Sequence, residues 1–262
     1  MKQVIKEFHD EESIATPLEN CQESGYKPMF IPELVDARMK SKVDWFKWYT
    51  TPSVRATGKT RQGNTVVVYA HIPNYFSNPS NIRKAIEEES FEIGDFDPHA
   101  GIMPQKEFQK LVDAEDNKRV FVVDYDKLTE TGPFCYFLSE ISEALENPRT
   151  IPFFGGRDRA EKYITKYTET YGRDSIMMGS LFHDNLMEQP VGRLLFLGGN
   201  SAYGFDDSLY VGGHNRFLGV RSGDARKINA PNLDEMLKYS KNFVPKTKFL
   251  EFQQGLKQLY KR

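Results

Sequence analysis

Ser53-Val-Arg-Ala-Thr-Gly-Lys-Thr-Arg-Gln-Gly-Asn-Thr-Val-Val-Val-Tyr-Ala-His71 is the stretch on which the fold turns. Gly58-Lys59-Thr60 copies the end of a phosphate-binding loop, but Ser53 stands where such a loop has its first glycine. A true phosphate loop leaves a buried strand and opens a helix whose amides face the anion. Here Gly63-Asn64 supplies turn chemistry, and residues 65–69 form a β-branched run. The stretch therefore reads as a β-hairpin, with Lys59 projecting from a strand and not serving a nucleotide. Residues 66–70 are apolar at every position, which places them in the middle of a sheet.

Working outward, residues 1–25 are polar and acidic and read as a flexible, loosely docked arm. Residues 26–262 read as one globular domain. Pro32 opens a helix whose stripe is Val35, Met39, Val43 and Phe46, with Trp45 and Trp48 near its end as core packing. Asn78-Pro79 starts another helix with Ile82, Ala85 and Ile86 inward. Pro104 opens a third, with Phe108, Leu111 and Val112 on one side. Residues 120–123 form a second buried strand. Phe137, Leu138, Ile141, Ala144 and Leu145 mark a helix, and Ile151-Pro-Phe-Phe154 a short strand. Asp158 is read as the cap of a helix with Ala160, Tyr163, Ile164, Tyr167 and Tyr171 on one face, stopped by Gly172. Residues 194–197 and 217–220 are two more strands. Thr247 opens an amphipathic C-terminal helix carrying Phe249, Phe252, Leu256 and Leu259. Strands and helices mix without strict alternation, so the expected class is α+β: a mixed β-sheet with a central buried hairpin strand, covered by several amphipathic helices.

Composition narrows the function. The chain has 262 residues, 39% hydrophobic and 27% charged, in the range of a soluble globular protein. A net charge of -2 argues against general nucleic-acid binding. Two cysteines are too few for a disulfide framework or a cysteine zinc site. The charged N-terminus lacks a signal-peptide core and no apolar run would span a bilayer, so no membrane association and a cytoplasmic location are expected. Nineteen Phe and thirteen Tyr suit cores, ligand pockets and partner surfaces alike.

Two function classes remain. The first is a noncatalytic binding or interaction protein, taking a small molecule or a protein partner. Its candidate ligand residues are Arg193, Asn200, Tyr203 and Arg216, in and beside the Gly-rich connection 198–215. That connection reads equally as a hairpin with glycine turns. The second is a small-molecule or phosphoester enzyme using His71 with Asp124 or Asp126, in which the histidine, leaving one strand end, exchanges protons and an aspartate at the end of the other orients it. Asp124-Tyr-Asp126 also resembles an acidic triplet for a divalent cation, although such spacing equally caps a turn. Asp97, His99, His183 and His214 add dispersed candidates, and Cys135 reads as a buried inert thiol. The sequence leaves cofactor, metal and oligomeric state open.

Overall fold

The computed structural model describes residues 3–10, 13–87, 100–129, 137–179, 189–200, 203–206, 215–222, 249 and 252–253. The chain divides into two compact units, Ile5–Val220 and Met1–Val4 with Arg221–Arg262. Of the smaller unit only a few residues are described. Phe249, Phe252 and Gln253 are helical there, and the rest of the expected C-terminal helix lies outside the described residues.

The larger unit is α+β. Its main sheet has eight strands in the order β6-β4-β3-β9-β10-β8-β7, with β5 also pairing β9. The strands are β3 (Tyr49–Lys59), β4 (Thr65–Ala70), β5 (Gly101–Ile102), β6 (Val120–Asp124), β7 (Phe137–Glu140), β8 (Ser175–Gly179), β9 (Val191–Asn200) and β10 (Tyr203–Asp206). The sheet is mixed, since β10 runs parallel to β8 while its other pairings are antiparallel. A second sheet joins β1 (Gln3–Asp10), β11 (Asn215–Ser222) and β2 (Lys27–Pro28) in the order β1-β11-β2.

The hairpin forms as its sequence requires. Lys59 pairs Thr65 and Val54 pairs Ala70 around a turn in which Gly63 takes φ 86°, a conformation that costs glycine least. β4 is central, between β3 and β6, and its side chains alternate between two cores. Val67 and Tyr69 meet Leu34 and Val35 of α2 (Ile31–Met39), Phe153 and Phe154 of α7 (Thr150–Phe154), and Tyr163 and Tyr167 of α8 (Arg157–Tyr171). Val66, Val68 and Ala70 meet Leu18 of α1 (Ala15–Glu23), Ile82 and Ala85 of α3 (Pro79–Glu87), and Phe108 and Leu111 of α4 (Gln105–Asp113). Burial on both faces explains the unbroken apolar run.

Several segments differ from expectation. Residues expected as a flexible arm instead contribute β1 and α1, because Ile14, Ala15, Leu18 and Cys21 fall at helical spacing and are fully buried. The helix from Pro32 ends at Met39, and Ser41 takes φ 54°, so Val43 to Phe46 form a connection and not a fourth turn. β6 is the edge of the sheet among the described residues, which leaves Val122 and Val123 half-buried. Phe137 and Leu138 pair with β8, and only then does α6 (Ile141–Glu146) begin. The segment 151–154 is helical in α7, and Gly155 with φ 70° ends it. α8 stands where expected and Gly172 closes it at φ 62°. Its N-cap is Gly156, however, while Asp158 sits in the first turn and pairs with Lys162 at 2.8 Å.

Candidate functional site

His71 and Asp124 do not meet. β4 and β6 are antiparallel: His71 N–H bonds the Arg119 carbonyl, while Asp124 lies opposite Val66. Five strand positions separate them, roughly 17 Å at about 3.4 Å per residue. Parallel strands would have brought both carboxyl ends together; the antiparallel pairing sends them to opposite ends of the sheet.

Each has a structural task where it stands. His71 is fully buried, and its Nε2 lies 2.8 Å from the Pro152 carbonyl, a group that can only accept. Nε2 therefore carries the proton, and Nδ1 accepts from the Ser53 hydroxyl at 3.0 Å. Ser53 Oγ in turn accepts the Ile31 amide at 2.9 Å, capping α2, whose own N-cap Phe30 has no side chain able to do so. Burial drives the His71 pKa down from 6.5 to about 4, so the ring is neutral at pH 7. Asp124 is exposed, and its carboxylate accepts the amides of Asp126 and Lys127 at the start of α5 (Tyr125–Thr129). That is the turn-capping use of the Asp-Tyr-Asp triplet. Asp126 is exposed in the first turn of the same helix. No group of three His, Cys, Asp or Glu side chains suited to a metal occurs among the described residues. Asp97, His99, Cys135, His183 and His214 lie outside those residues.

The ligand residues expected around 193–216 separate into two places. Arg193 is buried in mid-strand, directly opposite the equally buried Arg55, and presents no surface to a ligand. Asn200 and Tyr203 are paired residues of the adjacent strands β9 and β10; their side chains, and residues 201–202 and 207–214 of the Gly-rich connection, lie outside what is described. Arg216, on β11, is partly exposed and belongs to a cluster that the sequence did not single out.

That cluster is organised by Arg38 and Glu7. Arg38, fully buried at the end of α2, donates to the Tyr163 hydroxyl at 2.8 Å and to the carbonyls of Gly198 and Lys47. It thereby fastens the connection 40–48 to β9 and α8. Gly199 makes this approach sterically possible, since a Cβ there would fall 1.9 Å from the Lys47 carbonyl carbon. The guanidinium of Arg38 also lies 5.8 Å from the Trp45 ring and 5.6 Å from that of Tyr49. Nearer the surface, the Glu7 carboxylate receives Lys47 Nζ at 3.0 Å and the Tyr49 hydroxyl at 3.3 Å, with Arg216 Nε 3.6 Å away. The Arg216 guanidinium covers the Trp48 ring at 5.6 Å. The result is a half-exposed plate of aromatic and cationic groups. The run Trp45-Phe-Lys-Trp-Tyr49 was its sequence signal, concealed because a helical stripe through Phe46 assigned these aromatics to the core.

An open cleft of about 470 Å³ lies between α2 and the start of α8. Its arginines and Lys162 are engaged: Arg159 with Asp36, Lys162 with Asp158, and Arg157 with Glu146 and Glu161.

No family model and no curated protein matches the chain. A solved structure does, one described as the accommodation of massive sequence variation in Nanoarchaeota by the C-type lectin fold. The two are 42% identical with a TM-score of 0.71, over 84% of this chain and 99% of the other. The chain therefore belongs to that family, and its α+β architecture is a C-type lectin fold.

Proposed function

We propose that this protein is a noncatalytic binding protein that presents the plate around Trp48, Arg216 and Glu7 to its ligand. The supporting observation is membership of a C-type lectin fold family, one structure of which is described as accommodating massive sequence variation. A scaffold that tolerates variation must keep its packing independent of its variable surface. The division seen here, with β4 buried on both faces and the connection 40–48 half-exposed, suits that use. Cys21, a buried free thiol whose pKa burial raises to about 12, suits a reducing compartment, and a cytoplasmic location is part of the proposal. No helix among the described residues is long and apolar enough to cross a membrane.

The test is a binding screen of the purified full chain against arrayed proteins and glycans, followed by Trp48→Ala and Arg216→Ala. Each substitution is expected to weaken the captured interaction at least about tenfold, or about 1.4 kcal/mol. A partner bound equally well by both variants would remove the plate from the proposal.

A further inference from the structure

Both tryptophans of the chain lie in the connection 40–48, and neither is buried. Large aromatics left half-exposed on a rigid segment are characteristic of interaction surfaces. The segment is held firmly. The Tyr171 hydroxyl donates to the Trp45 carbonyl, Asp44 accepts the Phe46 amide at 2.8 Å, and Arg38 grips the Lys47 carbonyl. Held this way, Phe46 is 69% exposed, and among the described residues the ring set against it is that of Tyr171, edge-on at 5.6 Å. An apolar ring kept largely in water gains little from burial, and at a fixed position it is preorganised for a partner.

Charge indicates what that partner carries. Lys40 and Lys42 on the same connection have no carboxylate within ion-pair range among the described residues. Lys47 and Arg216 share the single carboxylate of Glu7. The connection itself holds three lysines against Asp44, in a chain whose net charge is -2. Trp45 has one face stacked on Tyr163 at 5.0 Å and Trp48 has one face under Arg216, which leaves Phe46 the most exposed ring of the connection, and an overall charge of -2 supplies no basic field for a nucleic acid.

We propose that the connection 40–48 docks an acidic segment of a protein partner, which lays an apolar side chain against Phe46 while its carboxylates face Lys40 and Lys42. This rests on the binding reading above and adds the chemistry of the partner.

The experiment uses the full chain and fluorescence anisotropy. The probe is a short labelled peptide of aspartates and glutamates around two central leucines. The comparison probes replace the leucines by serines, replace the acids by lysines, or are a single-stranded RNA of similar length. The acidic, leucine-bearing peptide is expected to bind at least about tenfold more tightly than any of the others, and added salt should weaken it. Phe46→Ser and the pair Lys40→Glu with Lys42→Glu are each expected to cost at least about tenfold, with the circular dichroism spectrum and Tm retained, because these side chains are exposed. Equal binding by Phe46→Ser, equal or tighter binding of the RNA or the serine peptide, or no binding of the acidic peptide overturns the inference. If the acidic peptide fails while a partner from the array still requires Trp48 and Arg216, this ligand chemistry falls and the binding function stands. If that partner is also indifferent to Trp48 and Arg216, both fall.

Discussion

Around His71 and around Arg38 the same construction appears: a fully buried polar side chain ties a helix to the main sheet through main-chain groups. The outcomes differ. His71 joins the start of α2 to β3, β4 and α7, each ring nitrogen has one partner, and the ring itself is fully buried. Arg38 joins the end of α2 to β9, α8 and the connection 40–48, and that connection leaves Phe46 and two tryptophans within reach of solvent. A satisfied buried histidine is a structural joint, whatever its sequence neighbours suggest. A buried arginine spent on holding half-exposed aromatics in place is how a fold maintains a surface for something else.

The contrast is broken most directly at the open joint. Arg38→Met removes bonds to Tyr163, Gly198 and Lys47 together and should cost about 3 kcal/mol or more in urea unfolding. Gly199→Ala, which drives a methyl group into the Lys47 backbone, should cost a similar amount. A loss below about 1 kcal/mol in both would mean that the connection 40–48 is not held through Arg38 and β9.

The sealed joint is probed by pH. Folding holds the His71 pKa at about 4 against 6.5 for the free ring, chiefly through burial. The Pro152 carbonyl and Asp116 act in the opposite direction, while Arg159 and Arg119 add to the lowering. As pH falls below 6.5 the unfolded chain takes up the proton first. The stability present above pH 6.5 is therefore lost progressively down to about pH 4, and this group takes no more below that. The expected loss is about 3 kcal/mol, each unit of pKa being worth about 1.4 kcal/mol. Protonation of Nδ1 would also face the Ser53 hydroxyl with a second donor. NMR titration of the His71 ring, showing it neutral at pH 5.5 in the folded protein, checks the assignment; a midpoint near 6.5 would refute it.

The smallest effect belongs to Lys59. It is exposed at the end of β3, which runs into the hairpin turn and not into a helix. Lys59→Ala should change stability by less than about 0.5 kcal/mol. Isothermal titration should find no ATP affinity for the substitution to abolish. Nucleotide binding that disappears in this variant would restore the phosphate-loop reading of residues 53–60.

Much of the architecture was legible because the deciding signals were local. Gly63-Asn64 between β-branched runs produced the hairpin, and the apolar stripe with Gly172 produced α8. Errors fell where local signals compete. Phe137 and Leu138 suit a helical stripe, yet the pairing offered by β8 draws them into a strand. Ile151 to Phe154 look like a strand, but Gly155 closes a short helix that buries both phenylalanines. Polar spacing in residues 1–25 obscured the four apolar positions that dock α1.

The sequence by itself determined the class, the central place of β4 and the absence of a phosphate loop at Lys59, since these follow from periodicity and turn chemistry within about twenty residues. Tertiary structure alone decided what the polar residues do. The antiparallel pairing of β4 with β6 parted His71 from Asp124, and the pairing of β3 with β9 buried Arg193 against Arg55. Glu7, Trp48 and Arg216 are distant in sequence and meet only because separate strands and the connection 40–48 converge on one surface. Strand order and direction are set by which apolar faces can be buried together, a property of the whole chain that no single window of residues contains.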